Sequence, residues 1–175
     1  MSSRFAVDVV IAHLADWPDL DPLAAVLADD ERDRAGRFKV REARDVFTLA
    51  RGLLRLEISK RVGAAPNEVH FDVRASGKPD VRRGPHATAD WRFSVSHTGP
   101  HVAIAFALGA DVGIDIERLN RRVAPLEIAR RFFTPAELES LEALPEGARD
   151  RAFFAGWTRK EAIVKARGST MAESL

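Results

Sequence analysis

Two carboxylates stand two residues apart in the run Val112-Gly-Ile-Asp115-Ile-Glu117. On an extended chain successive side chains point to opposite faces, so Val112, Ile114 and Ile116 take one face while Gly113, Asp115 and Glu117 share the other. Such a pair has two readings. Acids commonly line a solvated face. They can also hold a hard cation such as Mg2+, which takes one or two carboxylates and leaves its other positions to a substrate phosphate. A third acid, Glu161, lies between Lys160 and Lys165 in a helical pattern. At i and i+4, Glu161 and Lys165 by themselves describe a surface ion pair.

The basic residues narrow the chemistry. The chain has 22 arginines and only 5 lysines, yet two lysines, Lys160 and Lys165, fall within six residues, and Lys78 sits in the turn Ser76-Gly-Lys-Pro79. Lysine presents a compact, strongly hydrated point charge suited to phosphate, although a turn lysine can equally be a solvated one. With no cysteine, disulfides, thiolate metal sites and cysteine nucleophiles are excluded, and any metal must use oxygen or histidine ligands. Net charge of +1 argues against nucleic acid as a partner, even though residues 31–61 carry ten Lys/Arg against five acids.

The elements that must position these groups follow from periodicity. At 175 residues the chain corresponds to about one domain, and 46% apolar with 30% charged residues is the balance of a soluble globular protein. No apolar run approaches the ~18 residues of a membrane span, and residues 5–15, broken by Asp8 and His13, read as a strand rather than a signal peptide, so a cytoplasmic protein is expected. Strands are expected over 5–14, 69–73, from Phe93 into Ser96-His97, over 102–108, and over 112–117 as the hairpin partner of 102–108 through Gly109. The alternate residues Ala103, Ala105 and Ala107 are so small that another element should pack close to them. Helices are expected from Leu23 to Ala28, from about Glu42 to Gly63, from Leu126 to Phe133, from Thr134-Pro135, and from Ala148 to Gly168. Arg44 and Arg55 read as solvating the second of these, and Trp157, Phe132 and Phe133 as core.

Residues 43–63 and 148–168 repeat at an offset of 105, with seven identical positions that include Ile58/Ile163, Lys60/Lys165 and Gly63/Gly168. The first strand near Val7 then falls over Val112. Two copies of a strand-then-helix unit are expected, and the strands that follow the helix in the first copy have no counterpart after Gly168.

Four segments in fixed order make a specific resemblance: Gly77-Lys78-Pro79 with Phe93-Ser-Val-Ser96-His97-Thr-Gly99; Val112-Gly-Ile-Asp115-Ile-Glu117; Arg131-Phe-Phe-Thr-Pro-Ala-Glu137-Leu; and Trp157-Thr-Arg-Lys160-Glu161-Ala-Ile-Val-Lys165-Ala-Arg-Gly168. Together they resemble the 4'-phosphopantetheinyl transferases of the surfactin-synthetase-activating type. The resemblance implies an α+β fold of two pseudo-twofold-related α/β halves, residues 1–109 and 110–175, the second incomplete beside full family members. It implies coenzyme A and Mg2+ at their junction and an acyl or peptidyl carrier protein as partner, in a protein that is monomeric when the full fold is present. The serine of the carrier attacks the β-phosphate of coenzyme A, takes the phosphopantetheine arm and releases 3',5'-ADP.

By the same match Asp115, Glu117 and Glu161 hold the metal, and Glu161 is also the base for the serine proton. Lys78, Ser96, His97, Lys160 and Lys165 meet coenzyme A, with His97 at its 3'-phosphate. Arg51 is the chosen nucleotide contact of the arginine-bearing segment, ahead of Arg44, Arg37 and Arg41. Residues 118–133, with Arg118, Arg121, Arg122, Arg130 and Arg131, are where the family docks carriers, whose surfaces are acidic. The tryptophan form of the last motif resembles the broad-specificity branch of polyketide, nonribosomal peptide and siderophore pathways. The alternatives are a non-catalytic binder of coenzyme A or carrier, and a Mg2+-dependent phosphodiesterase.

Overall fold

The computed structural model describes residues 6–73, 78–82, 90–119 and 123–169. Alternating residues build three strands, β1 (Val7–His13), β4 (Trp91–Thr98) and β5 (His101–Leu108), paired antiparallel in the order β1-β5-β4. Between them in sequence lie β2 (Phe71–Val73) and β3 (Pro79–Val81), a short pair of their own. Val102, Ile104 and Phe106 of β5 face one side of the sheet and Ala103, Ala105 and Ala107 the other, as the period of two requires.

Helix α3 (Arg41–Val62) covers the first side, as the spacing of Phe47, Ala50, Leu54 and Ile58 predicts in outline. Leu49, Leu54 and Ile58 are fully buried against Val102, Ile104 and Phe106 in the main core. Ahead of α3 run α1 (Asp21–Ala25) and α2 (Asp29–Gly36). Helix α2 is absent from the sequence expectations because its residues, Asp-Asp-Glu-Arg-Asp-Arg-Ala-Gly, are polar on nearly every face and carry no apolar period. One buried side chain ties it to α3. Glu31 is buried, accepts the Ala28 N–H at 3.0 Å, and receives the guanidinium groups of Arg51 and Arg55 from α3. Arg55 is therefore buried rather than solvating its helix, and it also donates to the carbonyls of Pro66 (2.9 Å) and Val69 (2.8 Å).

A second core gathers Ala129, Leu141, Phe153 and Phe154 from α4 (Pro125–Phe132), α5 (Pro135–Glu142) and α6 (Glu146–Arg167). The expected capping box opens α5: Thr134 Oγ1 accepts the Glu137 N–H (3.3 Å) and the Glu137 carboxylate accepts the Thr134 N–H (2.7 Å). Helix α6 begins two residues before the expected Ala148, because Gly147 falls in the first turn, where backbone N–H groups have no helical partner to lose. Trp157 and Phe133 pack against this core as expected, with Phe132 edge-on to Trp157 at 5.5 Å.

Residues 112–117 depart from expectation. They form no strand and no hairpin with β5; the chain leaves the sheet and lies across its alanine face, where Val112 and Ile114 pack on Ala105 and Ala107. The small alanines do admit a close neighbour, but on top of the sheet rather than at its edge. The amides that a ladder would have satisfied are met by side chains: Ile114 N–H donates to Ser94 Oγ (3.2 Å) and Ile116 N–H to Ser96 Oγ (3.4 Å).

Candidate functional site

Strand β4 offers Ser94, Ser96 and Thr98 at every second position, on the same face as Ala105 and Ala103, to which Ser94 and Ser96 are paired. Beyond holding amides, this face orients the acids. Ser96 Oγ donates to Asp115 Oδ1 at 2.8 Å, and Thr98 Oγ1 donates to Glu117 Oε2 at 3.0 Å. From the other side the stretch presses on α6. A Cβ placed on Gly113 would overlap the Ala162 carbonyl oxygen and stand 2.6 Å from the Ala166 amide nitrogen, so only glycine lets the two backbones approach this closely.

That approach brings Asp115 beside the charged face of α6. Lys165 Nζ lies 2.6 Å from Asp115 Oδ1 and 3.0 Å from Ser96 Oγ. The ammonium thus goes to Asp115 and the serine rather than forming the simple helical pair with Glu161. Ser96 is fully used, donating one bond and accepting two. Asp115, Glu117, Glu161, Lys165, Ser96 and His97 line a cavity of about 310 Å3 together with Ile128, Phe153, Phe154 and Trp157.

Among the described residues that line the cavity, three acids face one lysine. Burial pushes the Glu161 carboxyl above its ordinary value, the neighbouring Asp115 and Glu117 push it further, and Lys165 only partly opposes them. Asp115 Oδ2 is buried with no hydrogen-bond partner. Among the described residues no three acids or histidines are gathered closely enough to hold a metal as they stand. An unmet buried carboxylate oxygen, within a set of three acids facing one ammonium, nevertheless fits a divalent cation with oxygen ligands from Asp115, Glu117 and Glu161.

The remaining candidate residues are placed differently. His97 is exposed at the rim and also lines a second cavity of about 330 Å3 with Arg34, Phe38, Phe47 and Gly99. Lys78 Nζ donates to the carbonyls of Val112 (2.8 Å) and Ala166 (3.4 Å), tying the acid-bearing stretch to the end of α6. Lys160 pairs with Glu137 at 2.8 Å above the Phe133 ring. Arg51 is bound to Glu31 and lies 4.7 Å from the Phe71 ring centre. None of these last three lines either cavity. Sequence reasoning missed Ser94, Thr98 and Arg34. The period-two run Ser94-Val-Ser96-His-Thr98 signals the first two as a polar strand face needing a partner, whereas Arg34, in a helix without periodicity, carries no signal.

Comparison with known proteins accords with this geometry. The family model described as 4'-phosphopantetheinyl transferase, N-terminal matches residues 16–108, and that of the 4'-phosphopantetheinyl transferase superfamily matches residues 111–175. The 4'-phosphopantetheinyl transferase HetI of Nostoc sp. is 39% identical over 155 residues, covering 88% of this chain and 65% of its own length. The 4'-phosphopantetheinyl transferase psf-1 of Bacillus pumilus is 31% identical over 89% of this chain and 64% of its own. Sfp of Bacillus subtilis is 30% identical over 81% and 60%. The chain thus spans just under two thirds of the length of these relatives. The two models meet between β5 and the acid-bearing stretch, one running from ahead of α1 through β5 and the other covering the acids and α6, and on that match this chain belongs to the 4'-phosphopantetheinyl transferase superfamily.

Proposed function

We propose that this chain transfers the 4'-phosphopantetheine arm of coenzyme A to a serine of an acyl or peptidyl carrier protein and releases 3',5'-ADP. One observation carries the reading: in a chain of this family, a single cavity gathers three acids, one lysine and the Ser96-His97 pair. The serine Oγ attacks the β-phosphorus, the bond from that phosphorus to the bridging oxygen breaks, and its electron pair leaves with 3',5'-ADP. Glu161 takes the serine proton, a role open to a carboxylate that lines the same cavity as Ser96, His97 and Lys165. Bound Mg2+, held by Asp115, Glu117 and Glu161, supplies charge neutralisation on the pyrophosphate. Lys165 holds a phosphate oxygen beside it.

His97 stands where the two cavities meet, so the phosphopantetheine end occupies the first and the nucleotide end the second. There Arg34 offers charge to a phosphate, and Phe38 and Phe47 an apolar wall to a base. Lys78, Lys160 and Arg51 serve as further phosphate contacts only by exchanging the carbonyls, Glu137 and Glu31 that they now hold. Residues 1–109 and 110–175 act as two halves of a cytoplasmic protein that is monomeric when the full fold is present. No helix among the described residues is long and apolar enough to cross a membrane. Carriers dock along residues 118–133, where Arg118, Arg130 and Arg131 are exposed; Arg121 and Arg122 lie outside the described residues. The carriers belong to polyketide, nonribosomal peptide or siderophore synthesis.

The test is incubation with coenzyme A, MgCl2 and several apo carrier proteins, each weighed by mass spectrometry. A phosphopantetheine mass gain that requires both coenzyme A and Mg2+ is expected; no gain on any carrier overturns the reading.

A further inference from the structure

We propose that Lys165 is a stand-in for the cation: in the metal-free protein its ammonium occupies the cation's place on Asp115, and the arriving cation releases it toward phosphate. The proposal rests on the metal reading of the site given above and adds what the chain does before the metal binds.

Three observations lead to it. Asp115 has only 7% of its side chain exposed, and a carboxylate so placed is costly to leave without a compensating charge. Lys165 is the only lysine or arginine among the described residues lining the cavity, and it reaches Asp115 Oδ1 at 2.6 Å, short for an ammonium-carboxylate bond. It neutralises one oxygen alone. Asp115 Oδ2 stays buried and unmet, so the acid keeps a position for a second positive group. The lysine is also free to leave. Its side chain is 30% exposed, its described contacts to Asp115 and Ser96 use two of its three N–H groups, and its stem rises from the last turn of α6, so the ammonium can swing while the helix stays. Glu161, one turn back on the same helix, lies within the reach of a released ammonium. The arrangement also fits the finding that no three acids among the described residues are gathered for a metal: Asp115 is turned to the lysine.

Metal alone must displace an ion pair and so binds weakly. Coenzyme A offers its phosphates to the displaced lysine, and each ligand then tightens the other by the same factor.

The test is isothermal titration of MgCl2, without coenzyme A, into the native protein, Lys165→Met and Asp115→Asn, with thermal melts to confirm that each is folded. Lys165→Met is expected to bind Mg2+ at least about tenfold tighter than the native protein, because the competing charge is gone. In the native protein, Mg2+ should raise acetylation of Lys165 by an amine-reactive reagent while leaving Lys60 unchanged, and this readout stands even if the variant does not fold. Labelling of Lys165 that ignores Mg2+ overturns the proposal, as does a folded Lys165→Met that binds Mg2+ no tighter. The two readings separate in a titration with coenzyme A present. If Mg2+ then binds the native protein but not Asp115→Asn while Lys165 labelling never changes, the metal site stands and the lysine proposal falls. If no Mg2+ binds with or without coenzyme A, both fall.

Discussion

Helices α3 and α6, the first and second copy of the sequence repeat, are both 22 residues long, 105 residues apart, and each ended by a glycine with φ near 69°. Their surroundings differ at the positions that matter. In the first copy Val10, Ala12 and Leu56 pack in the main core; at the same offset the second copy carries Asp115, Glu117 and Glu161. Lys60 spends its ammonium on Glu57 of its own helix, and its counterpart Lys165 crosses to Asp115. Asp8 and Arg61 bridge strand and helix at 3.0 Å in the first copy, where Gly113 and Ala166 press backbone to backbone in the second. Ile58 is fully buried and Ile163 half exposed. The first copy is built as core, and the second gives up core for a charged cleft.

The widest gap between the copies should appear at their buried acids. Glu31, which braces α3, is paired with two arginines, and Glu31→Ala should cost about 3–5 kcal/mol in urea unfolding because it strands Arg51 and Arg55. Asp115→Ala should cost only about 1 kcal/mol, since Lys165 can turn to water. The pH dependence carries the same signature. Burial raises the Glu31 carboxyl, but the bonds from Arg55, Arg51 and the Ala28 N–H overcome it and hold the group below its ordinary 4.5. A depressed folded value means that the stabilisation is complete above the unfolded value and is lost as pH falls through the folded one. Native stability should therefore decline below about pH 4.5, and Glu31→Gln should flatten that decline.

Next in size is the isoleucine pair. Ile58→Ala should lower stability by about 2–5 kcal/mol and Ile163→Ala by about 0.5 or less, both read from melting midpoints. Equal losses would show that the second helix has a core of its own on that face. Gly113→Ala should cost about 1–3 kcal/mol and depress transfer, because the new methyl meets backbone that cannot move aside; Asp8→Ala should stay within about 1 kcal/mol. Smallest is Thr98→Val, which removes one bond to Glu117 and should weaken transfer severalfold at unchanged melting temperature.

Much of this contrast is legible in the sequence. The strands 7–13 and 101–108, both long helices and their offset of 105 follow from apolar periods and glycine stops, and the motif order names Ser96, His97, Asp115, Glu117, Glu161 and Lys165, which the fold brings to one cavity. What escapes is set by partners far apart in the chain. Helix α2 has no apolar stripe and depends on Arg51 and Arg55 reaching Glu31. Residues 112–117 alternate as a strand does, yet two serine hydroxyls take the place of a neighbouring strand. Long cations are the least legible: nothing local to Lys160 or Arg51 says that Glu137 or Glu31 will come within reach.

The difference between the copies comes down to whether an acid at position 161 works where the first copy has a leucine. Transfer of phosphopantetheine to an apo carrier, followed by mass spectrometry, should be measured for native protein and Glu161→Leu alongside their melting temperatures. Transfer should fall by about 100-fold or more while the melting temperature holds or rises, since a half-buried acid pressed by Asp115 and Glu117 has been removed. A Glu161→Leu protein that transfers at the native rate would contradict the assignment of this cleft as the catalytic site.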